Sequence, residues 1–255
     1  MTRQESAARI TDLLVTLRRA RDPKREPRNE LAILPDLKRW QSRRLEHAFA
    51  DLTRQPRFTA AARFFLDDLY SEHDVSWRDR DMTRMLPTLR AWLPETVLDT
   101  VAKALELDLL SHELDLAVAH ALTADSTRKA TIDDAAYARA YRAAGRRRDR
   151  ERQLELLLFV GKELERIVKK PLVFAMLRFA RGPAQAAGLG KLQGFLERGF
   201  AAFKAMGSAD EFLDAIRMRE HELMRRLFGG HPSPFDLGKT TEEQGERRRP
   251  KRRRA

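Results

Sequence analysis

The segment from Pro94 to about Thr123 constrains the fold more than any other part of the chain. Set out at 100° per residue, it carries two apolar arcs instead of one. Leu107, Leu110, Leu114, Ala117 and Ala121 form the first arc. Leu98, Val101, Leu105, Leu109, Leu116 and Ala119 form the opposite one. Two narrow acidic seams, Asp99/Glu106/Glu113 and Asp108/Asp115, run between them. A helix with two apolar sides needs cover on both, so 94–123 is the expected central helix of a multi-helix bundle.

The remaining periodic segments also repeat at 3.6 residues, and none alternates as a strand would. The fold class is therefore all-α, with about nine or ten helices. The first is expected over Glu5–Arg21, the second over Leu37–Gln55 with Pro56 as its stop, and a short one over Phe58–Tyr70. Hydroxyl-x-x-acid signatures mark helix starts at Ser76/Asp79, Thr131/Asp134 and Ser208/Glu211. Pro87 predicts a kink or break, Pro94 a first helical position, and Pro171 and Pro183 joints between helices. Leu192, Phe195, Leu196, Gly199, Phe200 and Phe203 make one later stripe, in which Gly199 permits a close approach. Phe212, Leu213, Ile216, Leu223, Met224 and Leu227 make another, interrupted by Glu220, a carboxylate that needs a partner if buried. The Arg-rich stretch 143–152 separates an N-terminal half (1–145) from a C-terminal half (146–230) packed on it. Residues 231–255, poor in apolar side chains, read as a disordered basic tail.

Composition removes several kinds of chemistry. There is no Cys among the 255 residues, which excludes disulfides, thiolate metal sites, iron–sulfur clusters and cysteine nucleophiles. The N-terminus carries Glu5 and Asp12 in place of an apolar signal core, and nowhere do 18 apolar residues run without a charge. A cytoplasmic protein without membrane contact is the expectation. The net charge of +12 is unevenly placed, since RRRPKRRRA at 247–255 alone carries seven positive charges. The body is only mildly basic.

The candidate sites are few. His112 sits with Asp108 and Asp115 within one sector of the central helix, where carboxylate–imidazole pairing is easy. They are the candidate ligand-binding residues, although a core histidine held by a neighbouring acid is the plainer reading. No Glu-x-x-His occurs anywhere, so a helical carboxylate metal centre lacks its usual element. Glu106 and Glu113, about 10 Å apart along the helix, suit two arginines from neighbouring helices better than one metal ion. Asp67, Asp68, Asp79 and Asp81 are interleaved with Arg78, Arg80 and Arg84 and read as ion pairs. Gly188-Leu189-Gly190 beside Lys191 has no preceding strand, and a tight interhelical connection is preferred to a phosphate loop. Arg247, Arg248, Arg249, Lys251, Arg252, Arg253 and Arg254 are candidate nucleic-acid contacts, with no aromatic residue to stack on bases. Arg139 to Arg152 form a second basic cluster. No catalytic residue, metal site or cofactor is assigned.

Two blocks carry a resemblance. FFLDDLY, SWRDRD and MLPTLRAWLP within 64–94, and KKPL with RGPAQAAGLGKLQGFLERGFAAF within 169–203, continue into MGSADEFLDAIRMRE at 206–220. They resemble a family of bacterial all-helical proteins with no established activity. The resemblance spans about residues 40–229. It implies one compact helical fold and supplies no catalytic, cofactor or ligand residue.

The leading expectation is a non-enzymatic interaction protein, regulatory or scaffolding, with a protein partner or self-association. The first alternative is a helical pocket protein that binds an apolar ligand or a cofactor such as haem, with His112 foremost. The second is a nucleic-acid-associated protein that works through the tail.

Overall fold

Thr2 opens the chain's first helix with a capping box. Its hydroxyl accepts from the Glu5 amide at 3.3 Å, and the Glu5 carboxylate accepts from the Thr2 amide at 2.8 Å. Helix α1 therefore begins at Arg3 and runs to Arg21, two residues earlier than its apolar period suggests. The computed structural model describes residues 2–69, 76–125 and 131–237. After α1 come a 3₁₀ turn at Pro27–Glu30, α2 (Ile33–Ala48), α3 (Ala50–Arg54) and α4 (Pro56–Arg63). A π-helical turn at Phe64–Leu69 precedes α5 (Ser76–Trp92), α6 (Glu95–Ala124), α7 (Asp134–Ala144) and α8 (Arg147–Val168). The chain then forms α9 (Pro171–Ala186), α10 (Gly190–Met206) and α11 (Asp210–Phe228). The described residues contain no strand.

Helix α6 is the central helix that its two arcs predict, but one arc divides along its length. Leu98 and Leu105 pack with Ile10, Leu14 and Leu17 of α1 and Leu86 of α5. Leu116 and Ala119, further along the same arc, pack instead with Leu37 and Trp40 of α2 and Tyr137 of α7. A third cluster joins Phe49, Leu52, Phe58 and Phe64 to Leu154 and Leu157 of α8, Phe200 and Phe203 of α10, and Phe212 and Ile216 of α11. Burying a side chain such as Phe58, which is 0% exposed, contributes about 1.5–3 kcal/mol. Both larger clusters draw on residues from before and after 143–152. That stretch holds the turn between α7 and α8, where Gly145 adopts φ +64° and its amide donates to Arg142. It joins two helices of one packed body.

Several boundaries differ from expectation for identifiable reasons. The segment expected as one helix over Leu37–Gln55 is two, α2 and α3, divided at Phe49 (φ −115°, ψ 16°). The helix expected over Phe58–Tyr70 is α4 followed by the π-helical turn, which brings the count to eleven α-helices among the described residues. Helix α5 runs unbroken through Pro87. A mid-helix proline costs about 3 kcal/mol, and here Leu86, with Met82 and Leu93 partly buried, holds the helix against α1 and α6. Pro183 likewise lies within α9, whereas Pro171 starts it. The cap of α7 is Asp133, which accepts from the Ala136 amide at 2.8 Å, in place of Thr131. Ser208 bonds the Asp210 amide just ahead of α11.

The stretch expected to begin the tail is also different. Residues 231–237 fold back on the body, with Phe235 edge-on to Trp40 at 5.4 Å and beside Tyr137 at 5.9 Å. Leu237 packs on the same cluster. Phe235 and Leu237 together anchor this short stretch. Arg247 to Arg254, the candidate nucleic-acid contacts, lie outside the described residues.

Candidate functional site

His112, Asp108 and Asp115 share a sector of α6, yet each faces a different partner. The His112 ring is buried, and its Nε2 lies 3.1 Å from the carbonyl of Ala20 near the end of α1. A carbonyl only accepts, so Nε2 carries the proton. Burial, reinforced by the Arg21 charge, lowers the pKa of His112 and keeps the ring neutral. Asp108 accepts from Arg21 at 2.8 Å and from Arg78 at 3.3 Å. Asp115 accepts from Gln41 of α2 at 3.0 Å. The structure does not bring the three together as a ligand set, and no group of three His, Asp or Glu able to hold a metal occurs among the described residues.

Glu106 and Glu113 form an ion-pair seam. Glu106 meets Arg9 of α1 and, at 2.8 Å, Arg152 of α8. Burial pushes its carboxyl up, but the Arg152 hydrogen bond and the charges of Arg152, Arg9 and Lys103 outweigh this, and its pKa falls below the usual range. Glu113 faces Arg146 at 3.7 Å. Asp68 pairs with Arg198 at 2.5 Å. Most of the second basic cluster is used internally: Arg139 pairs with Asp125, Arg146 with Asp149, and Arg147 with Glu151. Gly188 takes φ +72° and, with Leu189, closes the end of α9 by amide bonds to Gln185 and Ala184. The Gly188–Gly190 stretch is the tight connection expected.

A cavity of about 90 Å³ lies where α2, α6, α7, α8 and α11 converge. Arg44 of α2 meets Glu220 of α11 there at 3.2 Å, which supplies the partner that Glu220 requires. Gln153 of α8 donates to Ser111 of α6 at 2.8 Å and accepts from Arg150 at 3.1 Å. The Arg150 guanidinium lies over the Tyr141 ring at 4.8 Å. Burial pushes the Tyr141 hydroxyl far above its usual pKa. Arg150 Nη2 is buried and donates to nothing among the described residues. Leucine, phenylalanine, isoleucine and methionine side chains complete the wall. His112 does not line this cavity. Glu220 was visible in the sequence as an acid on an apolar stripe, but Arg150 is indistinguishable there from the four other arginines of 143–152.

The second unusual feature is α9. Leu172 is 66% exposed and Phe179 is 84% exposed. They lie seven residues apart, two turns along one line of the helix. Ala175, Met176 and Pro183 fall on the same side, while Val173, Leu177 and Ala184 face the core. Helix α9 thus has two apolar sides, as α6 does, but only one is covered. No Asp or Glu occurs from residue 166 to 196. Arg178 of α9 stands exposed, as do Lys170 just before α9 and Lys191 just after it, and the three have no ion pair among the described residues. The signal is the same 100° projection that singles out α6, applied to 171–186, and the sequence reading missed it.

No helix of the described residues is long and apolar enough to cross a membrane. No curated protein and no solved structure matches the chain. A family model described as a domain of unknown function, DUF8198, matches residues 20–234. That span runs from the end of α1 to the segment that packs on Trp40, further in both directions than the two sequence blocks alone indicate. The chain belongs to the DUF8198 family.

Proposed function

We propose that this protein acts by binding, and that the exposed face of α9 docks an acidic amphipathic segment of a partner protein. The observation that carries this is the exposed apolar line Leu172–Phe179 on a helix that carries Arg178, is flanked in the chain by Lys170 and Lys191, and lies in a stretch with no acid from 166 to 196. Isolated exposed apolar residues are ordinary on protein surfaces, whereas a contiguous line on a helix with a polar rim marks an interaction surface. A helical partner would fill it with residues at i, i+3, i+4 and i+7, and its flanking carboxylates would meet Lys170, Arg178 and Lys191. Covering Leu172 and Phe179 supplies about 1.5–3 kcal/mol each, so their removal weakens binding more than tenfold. The pocket reading built on His112 has less support, because the ring is committed to Ala20.

The test uses a fluorescent twenty-residue amphipathic peptide with a Leu/Phe stripe and Glu flanks, followed by anisotropy. Binding should weaken with salt, and should fall at least tenfold in the double variant L172S/F179S, with helix content unchanged. Equal binding by that variant, or equal binding of a Lys-flanked peptide, would refute the proposal. A dimer in solution that the double variant abolishes would assign the face to a second copy of this chain instead.

A further inference from the structure

We infer that the cavity between α2, α7, α8 and α11 is a binding site for a small carboxylate of two or three carbons, held by the Arg150 guanidinium. This is independent of the α9 surface and lies in a different part of the molecule.

Arg150 Nη2 is buried without an acceptor, and Arg150 makes no ion pair among the described residues. A buried guanidinium donor left unmatched costs more than an ordinary hydrogen bond is worth, so the site calls for an anion or for water. The other charged groups on the wall each have a hydrogen-bonding partner among the described residues. Arg44 faces Glu220, and Gln41 donates to Asp115. A carboxylate entering beside Arg150 therefore supplies the missing partner and displaces none. The Tyr141 ring lies 4.8 Å from the guanidinium carbon and also lines the cavity, and burial keeps its phenol protonated.

Size and lining set the rest of the ligand. A volume of about 90 Å³ is the liquid share of roughly three water molecules, and well below the 300 Å³ at which drug-sized pockets begin. An anion of about four or five heavy atoms fits. Leu154, Leu157, Ile216 and Met224 offer a dry wall to a methyl or ethyl group. Phosphate and sulfate would place uncompensated oxygens against those side chains, whereas acetate or propionate would not. The ceiling of about 1.5 kcal/mol per non-hydrogen atom for so small a ligand allows a Kd no tighter than about 40 µM for acetate and about 3 µM for propionate.

The experiment titrates the full chain with sodium propionate against sodium chloride at equal ionic strength, read by calorimetry and by thermal unfolding. Saturable binding is expected, with hexanoate and propionamide each at least about tenfold weaker. R150M should abolish it, and Y141F, which removes one oxygen and leaves the packing, should weaken it about tenfold. No saturable binding below about 10 mM, equal binding to R150M, or equal binding of propionamide would each overturn the assignment. So would a crystal structure grown in propionate that shows only ordered water beside Arg150. If R150M unfolds, Y141F alone decides, since a site that ignores the hydroxyl is not the one described.

Discussion

Gly199 offers the sharpest test of the packing, because one added carbon changes sign with its surroundings. A Cβ at Gly199 would stand 2.7 Å from Cζ of Phe64 and 3.2 Å from both of its Cε atoms. Ordinary carbon contacts lie at about 3.5–4.0 Å, so the ring must move by most of an ångström. It has little room to do so. Phe64 is 7% exposed, and the Phe195 ring is 5.3 Å away, centroid to centroid. Overpacking of this kind costs about 1–3 kcal/mol, and alanine recovers about 1 kcal/mol over glycine within a helix. Gly199→Ala should therefore lower stability by about 1 kcal/mol, or about 2–4 °C in Tm for a chain of this size. In a Phe64→Leu background the obstructing ring is gone, and the same alanine should stabilise by about 0.5–1 kcal/mol. Urea unfolding of the four proteins of this cycle gives the coupling directly, expected at about 1–2 kcal/mol. If alanine stabilises the parent protein, or acts equally in both backgrounds, then Gly199 is not there to admit Phe64.

Further outcomes follow from the same geometry. Gly161→Ala also meets a close atom, Leu213 Cδ2 at 2.6 Å, but a leucine tip can turn aside, so thermal unfolding should show a smaller loss than at Gly199. Arg44→Met leaves Glu220 half-buried without its cation and should cost about 2–3 kcal/mol, while adding Glu220→Leu should restore most of the loss in urea titrations. Phe235→Ala should cost about 1–3 kcal/mol and shift the fluorescence of Trp40, and an unchanged protein would show that residues 231–237 do not pack. The folded-state pKa of His112 lies below its unfolded value near 6.5, so the unfolded chain binds the extra proton. Its contribution is complete above that value and lost as pH falls through it toward the folded pKa. The Glu165 carboxyl, held down by hydrogen bonds from Lys162 and Lys169, adds a loss that begins only near 4.5. His112→Gln should flatten the upper limb of stability against pH and leave the lower one.

The central position of α6 was legible because it depends only on residues within that helix. So was the requirement of Glu220 for a partner, and the close approach at Gly199. The Glu106/Glu113 seam was legible as an ion-pair seam, since about 10 Å of helix rise separates the two carboxylates whatever surrounds them. The break at Phe49 and the passage of α5 through Pro87 were not, because in both places packing against other helices overrides local preference. The candidate set on α6 had the same difficulty. One sector of one helix brought His112, Asp108 and Asp115 near each other, and the neighbours then drew them to Ala20, to Arg21 and Arg78, and to Gln41.

By itself the sequence determined an all-helical chain, its central helix, its lack of thiol chemistry, and the charge that its buried acids would demand. Periodicity, caps and composition act over a few residues, and a few residues are enough to read them. Only the tertiary structure decided which partner answered each demand. Arg44 and Glu220 are 176 positions apart, and Arg9 and Glu106 are 97 apart. Nothing local selects such pairs. They follow from which helix faces of the bundle meet, as do the cavity beside Arg150 and the open side of α9.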